Sequence, residues 1–345
     1  MPVPMVPFVL AALLQTATVI PSDSGEGHLA NIRQLTFGGQ NAEAYFSASG
    51  KQLIFQREDS VPGGICDQEY IMSVDGTGVR RVSPGVGRTT CGWFYARDTR
   101  IFYASTDRAS AVCPPRPDYS HGYVWALYDY DIFAADSDGA HRVQLTHNRG
   151  YDAEGTLSPD GTTIVFTSQR HGDLDIYTMK TDGSRLRRLT RTLGYDGGPA
   201  YSPDGKLIVY RAFHPRTAAD STEYRDLLAQ HLVQPTRMDL WVMNADGTYQ
   251  HQITHLAGAS FAPAFTPDGR RLIFASNSRQ PTTDNFDLFL VNLDGTGLEQ
   301  VTTSPGFNAF PMFSPDGKVL VWESSRGAKV RHETNIFIAD WVERP

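Results

Sequence analysis

Residues 158–190 read SPDGTTIVFTSQRHGDLDIYTMKTDGSRLRRLT, and the order of signals in this stretch decides the fold. Proline sets φ at the first central position of a turn and glycine accepts positive φ, so Ser158-Pro159-Asp160-Gly161 is tight-turn chemistry. TIVFTS, which follows, is β-branched and aromatic and suits a pleated sheet buried on both faces. DIYTMK is a second such run, Asp182-Gly183 a second turn, and a third run ends on Leu189-Thr190. The unit then starts again at Ser202-Pro203-Asp204-Gly205, with Gly161 and Gly205 separated by 44 residues.

Working outward, Thr266-Pro267-Asp268-Gly269 and Ser314-Pro315-Asp316-Gly317 are further copies, and Ser47-Ala48-Ser49-Gly50 and Ala96-Arg97-Asp98-Thr99 are degenerate ones. The second turn recurs at Gly76, Gly139, Gly247 and Gly295. Six copies of a four-strand unit predict an all-β, six-bladed β-propeller of antiparallel blades. The sixth copy supplies three strands, and Ile32-Arg33-Gln34-Leu35-Thr36 matches the missing fourth. This N-terminal strand is therefore expected to close the ring against the blade built by residues 310–341, removing exposed edges.

The repeats, carried by DLDIYTMKTDGSRLRRLT and FDLFLVNLDGTGLEQVT with the recurring SPDG, resemble those of the TolB-like family of six-bladed propellers. The resemblance spans residues 31–345 and implies a periplasmic binding scaffold. Residues 1–30 do not match the N-terminal domain the resemblance implies for TolB itself, so a stand-alone propeller is expected.

The 345 residues carry 31 Lys and Arg against 38 Asp and Glu, a formal charge of −7, which argues against general phosphate-backbone binding. Aromatics reach 11%, enough to argue against disorder. Residues 5–20 are uncharged and too few to span a bilayer comfortably, so residues 1–21 read as a signal peptide and 22–30 as a linker. Export to the periplasm or beyond follows, with membrane contact only through an uncleaved N-terminal segment, and a monomer is expected.

The turns lie on one face and the long insertions, residues 106–128 and 213–237, on the other, where binding residues concentrate. The first insertion carries Tyr119, Tyr123, Trp125, Tyr128 and Tyr130, aromatics suited to contacting peptides or sugars. In the second, Tyr224, Leu227, Leu228 and Leu232 follow helical spacing, with Ser221 as cap and Pro235 as stop. Cys66, Cys91 and Cys113 map to the same face, and one disulfide plus one spare thiol is expected, with Cys91–Cys113 favoured.

No GxSxG elbow, Walker loop, HExxH pair or GxGxxG fingerprint occurs. A binding module for a protein or peptide is the leading reading. The rival, a metal-assisted lyase or hydrolase acting on a sugar or peptide, requires His147, His171, His214 and His255 to converge. At the starts of the innermost strands, Glu43, Asp152, Glu154, Asp196, Ser260 and Asn308 are expected to ring the channel mouth. Their charge would favour a cation, either Ca²⁺ or the basic group of a peptide, with Asp152, Glu154 and Asp196 as principal contacts.

Overall fold

The computed structural model describes residues 18–20, 25–120 and 122–344. Six antiparallel four-stranded sheets are arranged in sequence, with innermost strands Asn41–Phe46, Thr89–Tyr95, Asp152–Leu157, Tyr195–Tyr201, Ser260–Phe265 and Asn308–Phe313. The sixth blade is completed by Leu29–Gln34, which pairs with Asn335–Trp341 (Gln34 opposite Phe337). The expected ring closure is therefore present. A fifth strand, Thr18–Ile20, pairs outside it with Ile32–Gln34. The rest of the expected signal peptide lies outside the described residues.

The propeller begins before residue 31, and residues 25–30 are not a free linker. Glu26 is 1% exposed and ion-pairs with Arg326, while its carboxylate accepts from the amides of Thr303 and Ser304. His28 is also buried, stacked on Trp341 and bonded to Glu299 at 2.7 Å.

Two recurring sequence signals have structural explanations. In the Ser-Pro-Asp-Gly turns the first hydroxyl donates to the aspartate two residues on, at 2.6–2.7 Å. In the second to fifth blades the Asp that opens the third strand and the Thr that follows the fourth form a latch. Thr190 Oγ1 donates to Asp175 Oδ1 at 3.3 Å and accepts from the Ile176 amide at 2.9 Å. The same arrangement joins Thr146 to Asp131, Thr254 to Asp239, Thr302 to Asp287, and across the ring closure Thr36 to Asn335. Buried backbone groups are thereby satisfied without a longer fourth strand.

The core lies between blades. Val209 of the fourth blade packs with Leu272 and Phe274 of the fifth, and Phe55 of the first with Val321 of the sixth. Gly183 shows how closely blades approach: at φ 83°, a Cβ there would lie 2.8 Å from the Leu145 carbonyl oxygen of the preceding blade. Among the described residues no helix is long and apolar enough to cross a membrane.

Candidate functional site

The long insertions build a wall around one end of the channel. The first blade contributes a hairpin of two ten-residue strands, Gln52–Val61 and Gly64–Ser73, longer than second and third strands elsewhere. Its tip meets the second-blade insertion, where the Cys113 amide donates to the Pro62 carbonyl at 2.9 Å and Cys66 is disulfide-bonded to Cys113. This corrects the expected Cys91–Cys113 bridge. The hairpin brings Cys66 within a Cα separation of 5.8 Å of Cys113, whereas Cys91 is a buried free thiol on an innermost strand.

The two insertions also join each other. Trp125–Ala126 pairs antiparallel with Leu232–Val233, and the Leu127 amide donates to the His231 carbonyl at 2.7 Å. Helix α1 (Ala218–Ala229) precedes this ladder. Thr217 caps it, not Ser221, because Thr217 and Asp220 form a capping box one turn earlier. Tyr224 and Leu228 of the expected stripe are buried, and the Tyr224 hydroxyl donates to Asp173 at 2.6 Å.

Tyr119 and Tyr123 stack with centroids 6.0 Å apart and remain 48% and 57% exposed. Trp125 donates from its indole nitrogen to the Tyr123 hydroxyl at 3.1 Å and meets Tyr195 and Phe261 edge-on, both at 6.4 Å. Of the five aromatics of this insertion, Tyr119, Tyr123 and Trp125 are thus gathered in one place, while Tyr128 and Tyr130 meet edge-on at 6.2 Å.

The six residues expected at the channel mouth separate into two layers. Asp152, Asp196, Ser260 and Asn308 belong to the outer layer and are fully buried. Asp152 pairs with Arg170 and Asp196 with His214, each at 2.8 Å, while Ser260 bonds Ser276 and Asn308 bonds Ser324. Burial raises both aspartates, opposed by those partners. Asp152 and Asp196 therefore tie strand ends together and are not presented to a ligand, which corrects their assignment as principal contacts.

The inner layer comes from a bulge repeated in every innermost strand. Glu43, Cys91, Glu154, Gly198, Ala262 and Phe310 all have φ between 50° and 59°, and the strand register shifts at each. Positive φ is costly for residues other than glycine, and bulges re-aim side chains. Glu154 ion-pairs with Arg211 and accepts from Tyr195, from the Gly198 amide at 2.8 Å and from Thr167 at 2.7 Å. Glu43 is bonded by the Cys91 thiol, and burial pushes its carboxyl up to about 7. Burial and the two glutamates push the Cys91 thiol well above its ordinary range.

The opposite side is apolar: Phe261 lies 4.9 Å from Phe286, 5.6 Å from Phe310 and 6.2 Å from Phe307. Two charged residues here escaped the sequence reading, Arg211 in LIVYRA and Glu323 in VLVWES. A charge inside an otherwise apolar repeated strand was the available signal. Burial pushes Glu323 up to about 8, and its Oε2 has no hydrogen-bond partner.

The four histidines singled out from the sequence do not converge. His171 stacks on Tyr177 and bonds its hydroxyl at 2.6 Å, His214 holds Asp196, and His147 and His255 lie near Asp131 and Asp239 of their own blades. Among the described residues no group of three or more His, Cys, Asp or Glu could hold a metal ion.

A family model described as TolB beta propeller domain matches residues 126–231 and 215–331. The chain belongs to this family. No curated protein matches it significantly. Among solved structures it is similar to a putative TolB from Agrobacterium tumefaciens (19% identity, TM-score 0.58, 88% of this chain and 91% of that one). It is also similar to an oligogalacturonate lyase from Vibrio parahaemolyticus (14%, 0.52, 94% and 97%). A gluconolactonase from Xanthomonas campestris is likewise similar (14%, 0.59, 95% and 95%). These likenesses establish the shared fold.

Proposed function

We propose that the protein is an exported binding module that takes a peptide, or an extended segment of a protein, at the walled end of its channel. The observation that carries this reading is the exposed Tyr119–Tyr123 stack, held beside an opening lined by Trp125, Phe261, Phe310 and Glu43. Large aromatic surfaces on a rigid support bind peptides at small entropic cost. The disulfide and the two-stranded ladder supply that support. The longest connections rise from the second and fourth blades, residues 106–130 and 213–238, while those of the fifth and sixth, residues 277–286 and 325–334, are shorter. A chain would enter from that lower side, over Phe286 and Phe307.

Export is supported by the disulfide, a linkage that persists in oxidising compartments, and by the apolar run at residues 5–20. Catalysis on a sugar is disfavoured by the dispersed histidines and by the use of Asp152 and Asp196 within their own blades.

The test is selection from a random peptide library, with affinities compared between wild type and a Tyr119→Ala, Tyr123→Ala variant. Loss of about tenfold or more is expected for the variant, since hot-spot tyrosines typically contribute this much. Unchanged affinity, or no selectable peptide, contradicts the reading.

A further inference from the structure

The sixfold repeat allows equivalent positions around the mouth to be compared. The second-strand residues paired with the residue before each bulge are Gln56, Ala104, Thr167, Arg211, Ala275 and Glu323. In the third and fourth blades this position answers the bulge carboxylate: Arg211 neutralises Glu154. Toward the following blade the same position lies beside the next bulge, as Thr167 accepts from the Gly198 amide at 3.3 Å, and the equivalent pair where the sixth blade meets the first is Glu323 and Glu43.

Of the neighbouring carboxylates two have their own cations, while Glu69 is fully buried with neither oxygen hydrogen-bonded to a side chain and feels the charge of Glu43. Asp67 pairs with Arg88 at 2.7 Å and Glu58 with Arg116 at 2.6 Å. Glu43 has only the Cys91 thiol and a long contact from the Tyr45 hydroxyl at 3.5 Å. Glu323 is 5% exposed, the Thr334 hydroxyl lies beside it, and its Oε2 is unpartnered. Val321, two residues earlier on the same strand face, packs with Ala44 and Phe46 of the first blade, and Thr334 donates to the Asn41 carbonyl at 3.2 Å, so Glu323 faces the first blade beside Glu43, whose charge it feels. A buried carboxylate oxygen without a donor is costly, and water or a ligand donor can complete it.

We propose that Glu43 and Glu323 form a slot for one cationic nitrogen group of the bound peptide, a primary ammonium or a guanidinium, at the mouth between the sixth and first blades. This rests on the peptide-binding reading and names its anchor. Calcium fits less well, because it takes six to eight oxygen ligands and among the described residues no group of three or more His, Cys, Asp or Glu could hold a metal ion. A nitrogen donor on an alkyl stem suits two acids flanked by Phe310, Phe261 and Tyr123, which can cover the stem.

The experiment uses butylammonium and butylguanidinium as probes, with butanol as the neutral control, measured by NMR titration on the folded protein at pH 8.5. Selected peptides are measured in parallel, with each basic residue replaced in turn by norleucine. Wild type should bind at least one cationic probe in preference to butanol. Glu323→Gln and Glu43→Gln should each weaken that binding about tenfold, with folding confirmed by thermal melts. If the probes bind and no peptide does, the slot stands and the peptide reading falls. If peptides bind with no preference for a basic residue and equally well to both variants, the slot is overturned and the peptide reading stands. Equal binding of butanol and the cations also overturns it.

Discussion

The guanidinium carbon of Arg211 lies 4.9 Å from the centre of the Trp125 ring while the same group ion-pairs with Glu154. A residue of the second-blade insertion is thereby tied to a charge pair between the third and fourth blades. Glu154 retains only 11% of its side-chain exposure, so removing its cation leaves a nearly buried carboxylate. Arg211→Ala should cost about 3–5 kcal/mol in denaturant unfolding, and adding Glu154→Gln should recover much of that. A double variant no more stable than the single one would contradict this reading of the pair.

The disulfide links residues 47 apart in sequence and joins the first-blade hairpin to the second-blade insertion. Peptide mapping without reduction should recover Cys66 joined to Cys113 and Cys91 alkylated only after unfolding. A Cys66→Ser, Cys113→Ser variant should lose about 2–4 kcal/mol of stability. Recovery of a Cys91–Cys113 peptide would refute the assignment.

Glu323 also makes a prediction about pH. Its carboxyl is raised from 4.5 to about 8 by burial, with Glu43 and Asp67 adding to the shift and Thr334 opposing it. A raised acid contributes stability that is fully present below pH 4.5 and is lost as pH climbs through about 8. Glu323→Gln removes that loss. Its Tm should match wild type near pH 4.5 and exceed it at pH 9, by an amount corresponding to about 5 kcal/mol. A constant difference across this range would show that the group does not titrate as described.

The N-terminal clasp can be tested by truncation. A chain starting at Gly25 keeps the Glu26–Arg326 pair and the His28–Glu299 bond, and one starting at Ala30 loses both. The shorter chain should be less stable by about 3–5 kcal/mol, because Arg326 is left buried and unpaired. Equal melting temperatures would mean that residues 31–36 alone close the ring.

Blade number and strand order were legible in the sequence because the unit is written six times, and ring closure because the sixth copy is one strand short. Turn residues such as Pro159 and Gly161 act through backbone φ, which depends only on local chemistry. The channel was legible only in part. Strand alternation alone puts Asp152 and Glu154 on one face, but the bulge shifts the register between them, leaving Asp152 sealed by Arg170 and Glu154 in the inner layer. Arg211 and Glu323 were hidden inside strands read as core. The Cys66–Cys113 pairing depended on how far the first-blade hairpin rises, a tertiary property that cysteine spacing does not encode.

The central claim, that the walled mouth is the binding surface, is tested most directly by amide hydrogen exchange with and without a library-selected peptide. The account predicts slowed exchange at residues 119–128, 260–262, 284–287 and 307–310, with no change at the turns 158–161, 202–205, 266–269 and 314–317. Protection confined to those turns on the opposite face would contradict it.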